Sequence, residues 1–330
     1  MKVVVLMGGV SSEREVSLVS GRAVAEALRE KGHEVMEKDL REELDTTRTG
    51  PSADGNRALA EFVVDPAVAA CDVVFIALHG GAGEDGTVQA IFDLTGKPYT
   101  GSGMLSSALC MDKILSKRVF EQAGIPTPGW RGVERADVSS VRTAIAELGG
   151  LPVVTKPRNQ GSTVGVSIIK EESGITSAVE ESLKYSSDIL VEAYVPGREI
   201  TVGLLGTRAL PVVEIAPQSG FYDYECKYTK GKSKYIVPAE IPQALAEEAQ
   251  RIALTAYRVT GCRDFSRVDF RLSPEGKIGC LEVNTIPGMT GTSLVPMAAR
   301  AAGLDFPGLV DEICRLALSR RRVTAAARTG

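Results

Sequence analysis

The chain has 330 residues, 38 basic and 42 acidic side chains and a net charge of −4, with 44% hydrophobic and 24% charged residues. This is the balance of a globular chain able to form two or three domains, and its small acidic excess argues against a general nucleic-acid binder, which needs a basic face to displace counterions. Two histidines, His33 and His79, cannot make a three-His zinc site, and six cysteines without close spacing exclude CxxC knuckles, redox pairs and a dense disulfide framework. Chemistry is left to Lys, Arg, carboxylates and backbone amides.

The chain opens on an apolar strand, 2–7, that breaks at Gly8 and Gly9. Val16, Val19, Ala23, Ala27 and Leu28 then recur at helical spacing up to Gly32, a natural helix stop. A second buried strand, 72–78, ends at His79, Gly80 and Gly81. Continuous apolar strands joined through helices predict a parallel sheet covered on both faces, with ligands gathered at the carboxyl ends of its strands. From about residue 111 the pattern changes. Strands at 151–156 and 164–170 flank a small-residue loop, predicting a hairpin, followed by a helix at 175–184 and a strand at 189–195. Strands at 199–205 and 209–215, a polar stretch at 218–235, a helix and two further strands at 264–272 and 277–284 complete the pattern. The expected organisation is an α/β chain in three parts, 1–110, 111–196 and 197–318, with a basic tail at 319–330. Residues 315–330 carry five arginines and no acid, leaving −9 on residues 1–314; a frayed tail is the expectation there.

Scattered single cysteines suit a reducing compartment, and no signal peptide precedes the first strand. The longest apolar run, 73–78, falls far short of the ~20 residues that span a bilayer. A cytoplasmic location with no membrane partner is expected.

The last strand pair carries the most chemistry. Alternation puts Arg267 and Asp269 on one face of their strand, and Glu282 and Asn284 on one face of the next. The turn at Ser273, Pro274, Glu275 and Gly276 makes the two a hairpin in which Arg267 is expected to face Glu282, with Asp269 one diagonal step away. Hard oxygen donors without His or Cys suit Mg²⁺ bridging to phosphate; a plain Arg–Glu cross-strand pair is the structural alternative. Glycines and hydroxyls then lead from Asn284 through Gly288 to Ser293, where a helix starts whose free N–H groups can hold an anion or a developing oxyanion. Lys156, before the flexible loop at 161–165, is a candidate phosphate clamp. Neither a Walker A pattern nor a dinucleotide fingerprint is read, which sets aside a P-loop NTPase and a nicotinamide oxidoreductase. The aromatics and lysines of 222–235 fit a lid over phosphates, or single-stranded nucleic-acid binding.

These motifs together, GGVSSEREVSLVSG (8–21), HGGAGEDGTVQA (79–90), MDK (111–113), GSTVG (161–165), YDYECKYT (222–229), RVDFR (267–271) and LEVNTIPGMTGTS (281–293), resemble the D-alanine–D-alanine ligases of the ATP-grasp superfamily from residue 1 to about 317. The resemblance implies a three-domain ATP-grasp architecture with a Rossmann-like N-terminal domain. It also implies joining of two D-alanines with ATP for peptidoglycan precursor, Mg²⁺ or in its place Mn²⁺, a homodimer and no nucleic-acid partner. By the same resemblance Glu15 binds the first D-alanine's ammonium, with His79 near its carboxylate and Ser162 and Tyr228 in a network with Glu15. Lys113 and Lys156 hold phosphates, Glu192 and Val195 lie against adenine, Glu199 meets the ribose, and Lys227 sits on the lid. Arg267 and the backbone of Gly288 stabilise the oxyanion, Asp269, Glu282 and Asn284 bind the metal, and Ser293 and Leu294 take the second carboxylate. Cys226 stands where a smaller residue is usual. A depsipeptide or D-alanine–D-serine ligase is the near alternative, and a catalytically silent ATP-binding regulator the distant one.

Overall fold

The computed structural model describes residues 1–11, 13–40, 61–62, 64–217 and 233–328. Cys226, Lys227 and Tyr228 lie outside them. The first unit is built on β1 (Lys2–Met7), whose run of valines and leucine is buried after its first residue. Helix α1 (Arg14–Glu30) returns the chain to β2 (Glu34–Asp39), and α2 (Pro66–Ala70) leads to β3 (Val73–Ile76). β1 lies between β2 and β3, parallel to both, as its continuous apolar character requires. Helices α3 (Thr87–Thr95) and α4 (Met104–Met111) follow.

The second unit contains α5 (Lys113–Gln122), β4 (Trp130–Val133), α6 (Val138–Glu147), β5 (Val153–Pro157), β6 (Ser167–Ile169), α7 (Ile175–Leu183) and β7 (Ile189–Ala193). Its strands form one antiparallel sheet in the order β4-β7-β5-β6. The expected hairpin is β5–β6. Alternation sorts the side chains: Val153, Ile189 and Val191 pack with Val141, Ile145 and Val179 of the helices, so Val154, Lys156 and Glu192 fall on the other face.

The third unit has β8 (Arg198–Leu205), β9 (Arg208–Ala209), β10 (Val213–Pro217), β11 (Ser233–Ile236), α8 (Gln243–Val259), β12 (Phe265–Leu272), β13 (Ile278–Asn284), α9 (Leu294–Ala301) and α10 (Phe306–Arg328). The six-stranded antiparallel sheet runs β11-β10-β8-β12-β13, with β9 on β8. Val268, Phe270 and Leu272 pack with Ile200, Val202 and Leu204 and with Ala249, Ile252 and Ala253 of α8. The opposite face of β12 is therefore left to Arg267, Asp269 and Arg271.

Two expectations about organisation change. Helix α10 continues through residue 328, so the boundary at 318 falls inside a helix, and Leu309, Val310, Ile313 and Cys314 share a core with Val3, Val5, Val24 and Phe75 of the first sheet. Arg320, expected in a frayed tail, pairs with Asp264 Oδ1, and its Nη2 donates to Tyr99 O at 2.8 Å. Asp264 is 2% exposed at its side chain and also accepts from the Gly101 N–H at 2.8 Å. Chain spacing likewise concealed a thiol pairing: Cys110 and Cys262, 152 positions apart, share one core, where Ser106 Oγ donates to Cys262 Sγ at 3.4 Å. Among the described residues no helix is long and apolar enough to cross a membrane.

Candidate active site

A cavity of about 630 Å³ lies where the three units meet, and a smaller one of about 130 Å³ adjoins it between the second and third. Lys113, Gln160, Gly161, Ser162, Arg267, Glu282 and Leu294 line both.

The larger cavity receives His79, Gly288, Ser293 and Leu294 as expected, and Asn284 as well. His79 follows β3 and is 5% exposed; its Nε2 lies 3.3 Å from Ser20 Oγ and its Nδ1 3.5 Å from Glu84 Oε1. Ser293 caps the start of α9, and its Oγ accepts from the Thr290 N–H at 3.0 Å. That bond closes the turn and leaves the first N–H groups of α9 beside the cavity.

Glu15 is the misplaced expectation. It is exposed on α1, whereas Glu13, directly before the helix, is buried, lines the cavity and accepts a hydrogen bond from Ser162 Oγ. The helix explains this. Glu13, Ser17 and Ser20 fall on one face at spacings of four and three, and all three are buried, while Glu15 shares the outer face with Val19, which is 54% exposed. Helical spacing was the signal that points to Glu13.

The smaller cavity is lined by Lys156, Glu192, Val195, Glu199 and Asp269, together with Arg271. Register explains the grouping. Asp269 faces Thr201 across β12–β8, and Arg271 faces Glu199. On the other side, Asp269 faces Glu282 and Arg267 faces Asn284, not the Arg267–Glu282 pairing expected from the turn. The turn is centred on Glu275, since Leu272 faces Ile278, and a β-bulge between Asp269 and Phe270 adds one further step, so the register cannot be counted from the turn across the inserted residue. The four side chains still share one face. Arg267 grips Asp269 with Nε and Nη2, both at 2.8 Å, and the Thr201 hydroxyl lies 2.6 Å from Asp269 Oδ1.

Charge is arranged unevenly in this cavity. Lys113 Nζ reaches Glu282 Oε2 at 2.9 Å. Lys156 Nζ meets Glu192 Oε2 at 2.5 Å, and Lys117, a residue the sequence reading passed over, takes Glu192 Oε1. Burial alone would raise the Glu192 carboxyl, but Lys117 and Lys156 outweigh it and hold it below its ordinary value. Lys156 is raised, its attraction to Glu192 overcoming burial. Lys117 is lowered, because there burial wins. Glu199 is pushed up to about 7, first by burial and then by the charges of Asp269 and Glu282, against the pull of Arg271 at 3.6 Å. Among the described residues no three His, Cys, Asp or Glu side chains form a metal cluster; the expected metal set has two carboxylates and the amide of Asn284.

Residues 81–86 do carry the GxGxxG spacing, contrary to the sequence reading. Its glycines serve the chain itself: a Cβ on Gly83 would stand 2.6 Å from Leu78 Cβ, and one on Gly86 2.6 Å from the carbonyl oxygen of Met104. Close packing, not room for a dinucleotide, explains them.

Comparison with known proteins gives one answer along the whole chain. Family models described as the D-ala D-ala ligase N-terminus and C-terminus match residues 2–102 and 119–315. The D-alanine–D-alanine ligase of Moorella thermoacetica is 48% identical over 325 residues, covering 96% of this chain and 99% of its own. That of Aquifex aeolicus is 46% identical over 314 residues, covering 95% and 99%. Among solved structures, the D-alanine–D-alanine ligase from Bacillus anthracis complexed with ATP superposes with a TM-score of 0.80 at 31% identity, covering 98% of this chain and 99% of that one. The VanG D-Ala:D-Ser ligase from Enterococcus faecalis superposes at 0.78 with 32% identity, covering 96% and 99%.

Proposed function

The chain belongs to the D-alanine–D-alanine ligase family, and from that premise we propose that it joins two D-alanines with ATP, through an acyl phosphate, to give D-alanyl-D-alanine, ADP and phosphate. The observation that carries the reading is the shared wall of the two cavities: Lys113, Ser162, Arg267 and Glu282 border both, so a γ-phosphate held in one meets a carboxylate held in the other. A carboxylate oxygen of the first D-alanine attacks the γ-phosphorus and ADP leaves. The amine of the second attacks the acyl carbon, loses a proton, and the tetrahedral adduct expels phosphate.

The chain's residues position and neutralise at each step. Lys113 and Lys156 hold phosphates; Glu192 and Val195 border the adenine and Glu199 the ribose. Glu13, in the role expected of Glu15, holds the first ammonium with Ser162 beside it, and His79 lies near that carboxylate. Arg267 and the Gly288 N–H face the oxyanion. Ser293, Leu294 and the α9 N-terminus take the second carboxylate. Lys227 and Tyr228, expected on the lid by resemblance, lie outside the described residues.

Asp269, Glu282 and Asn284 would hold Mg²⁺, or Mn²⁺. The fit rests on two observations: the donor set is all oxygen, and Asp269 directly faces Glu282, a like-charge pair that a cation relieves. When bound, the ion supplies charge neutralisation at phosphate oxygens. The reading extends to a cytoplasmic homodimer that supplies peptidoglycan precursor; the free thiols of Cys71, Cys110, Cys262, Cys280 and Cys314 suit a reducing compartment.

The test is phosphate release by the purified chain with ATP and Mg²⁺, with and without D-alanine, and mass spectrometry of the product. D-alanine-dependent release with D-alanyl-D-alanine as product is expected; release indifferent to D-alanine overturns the proposal. Similarity to the VanG D-Ala:D-Ser ligase supports a second reading, with D-serine as the second substrate. Competition between D-alanine, D-serine and D-lactate decides it, and a higher kcat/KM with D-serine would replace the first reading.

A further inference from the structure

Lys117 is 1% exposed and lines neither cavity. Burying an ammonium costs several kcal/mol, and well-packed apolar side chains of similar volume stabilise a fold as well or better. Its surroundings are specific. Nζ is ion-paired with Glu192 Oε1 and donates to Thr127 Oγ1 at 2.5 Å and to Cys280 O at 3.2 Å. Thr127 Oγ1 in turn donates to Cys280 O at 2.7 Å, which fixes the acceptor cage.

The frame that places it is a pair of lysines on one helix. Lys113 and Lys117 are four apart on α5, about 6 Å of helix rise. Their β13 partners, Glu282 and the carbonyl of Cys280, are two apart, on either side of the bulge. Both lysines therefore reach β13 together, and Lys117 lies behind Glu192 while Lys156 lies in front of it.

We propose that Lys117 is a positioning residue for the nucleotide site: by holding one oxygen of Glu192 it leaves that carboxylate shared between two ammoniums, so that Lys156 keeps a fixed surplus of positive charge toward the polyphosphate of ATP. This rests on the phosphate-binding role proposed for Lys156. Without Lys117 the Glu192–Lys156 pair is neutral, one buried oxygen of Glu192 loses its partner, and Lys156 is drawn back from the cavity. The effect falls on nucleotide and spares D-alanine.

The test uses the full-length enzyme and Lys117→Met, which keeps length and removes charge. KM for ATP, and the Kd for ADP by calorimetry, should rise ~10-fold or more, the scale of one charge-assisted hydrogen bond, while KM for D-alanine stays at the wild-type value. A merely structural role would lower the melting temperature and the active fraction and move neither constant. Thr127→Val, which loosens the cage but keeps the charge, should raise both nucleotide constants by about threefold, and it decides the matter if Lys117→Met does not fold. Wild-type nucleotide constants in Thr127→Val and in folded Lys117→Met overturn the proposal. So does an equal rise for ATP and D-alanine. Because ADP binding is read without turnover, the inference fails or stands separately from the proposed reaction.

Discussion

Glu192 and Glu199 are the same residue type, seven positions apart, on neighbouring strands in the chain and against one cavity, yet they are driven in opposite directions. Glu192 is the more buried, and it is held below its ordinary value because each of its oxygens meets an ammonium. Glu199 is raised to about 7, because burial is joined there by Asp269 and Glu282 and Arg271 answers only in part. On the lysine wall two ammoniums share one carboxylate, so that wall keeps a positive surplus before any ligand arrives. The strand face opposite is left with crowded carboxylates, the condition that favours binding a cation. Burial does not decide the state of an acid; the partners supplied by the fold do.

Four substitutions break or sharpen this contrast. The largest effect is expected where a fold-supplied partner is removed from a buried acid: Arg320→Ala strips Asp264, which burial already raises against the pull of Arg320. It should cost about 3 kcal/mol in urea unfolding, and unchanged stability would show that such compensation is dispensable. Next, Arg267→Ala should lower kcat ~100-fold, the scale of an oxyanion donor. Wild-type turnover would mean that the guanidinium only neutralises Asp269. Asp269→Asn thins the crowded face and should raise the Mg²⁺ concentration needed for half-maximal activity about tenfold; an unaltered metal titration would count against the cation reading.

The fourth contrast is in pH dependence. The folded value of Glu199, about 7, lies above its ordinary 4.5, so the native state holds the proton more tightly than the unfolded chain. The stability this gives is fully present below pH 4.5 and is lost as pH rises through 7. Compared with wild type in chelator, Glu199→Gln should therefore gain about 3 kcal/mol at pH 8 relative to pH 4. Parallel unfolding curves at the two pH values would remove Glu199 from the crowded set. Glu192 has the opposite sign: its contribution is present above pH 4.5 and is lost as pH falls through its depressed folded value.

Much of this was legible in the chain. Unbroken apolar runs marked β1 and β3 as buried parallel strands, and two-residue alternation put Arg267, Asp269, Glu282 and Asn284 on one polar face. Both conclusions depend on the geometry of single elements. The bulge at Asp269/Phe270 adds one residue to β13 and so changes which residues face each other, but Glu282 and Asn284 lie on the same side of it and keep their common face. Glu13 is within reach of the same reasoning, since helical spacing puts Glu13, Ser17 and Ser20 on one face and Glu15 and Val19 on the other.

Lys117, Arg320 and the Cys110–Cys262 pairing were of another kind. Each looks ordinary along the chain: a helix lysine, one arginine of a basic run, two cysteines far apart. Their meaning comes from partners 75, 56 and 152 residues away, brought close when α5 packs on β13 and α10 returns to the first sheet. Periodicity is a property of a segment and can be read from it. Compensation of a buried charge belongs to a meeting of segments, and it exists only once the core has closed around them.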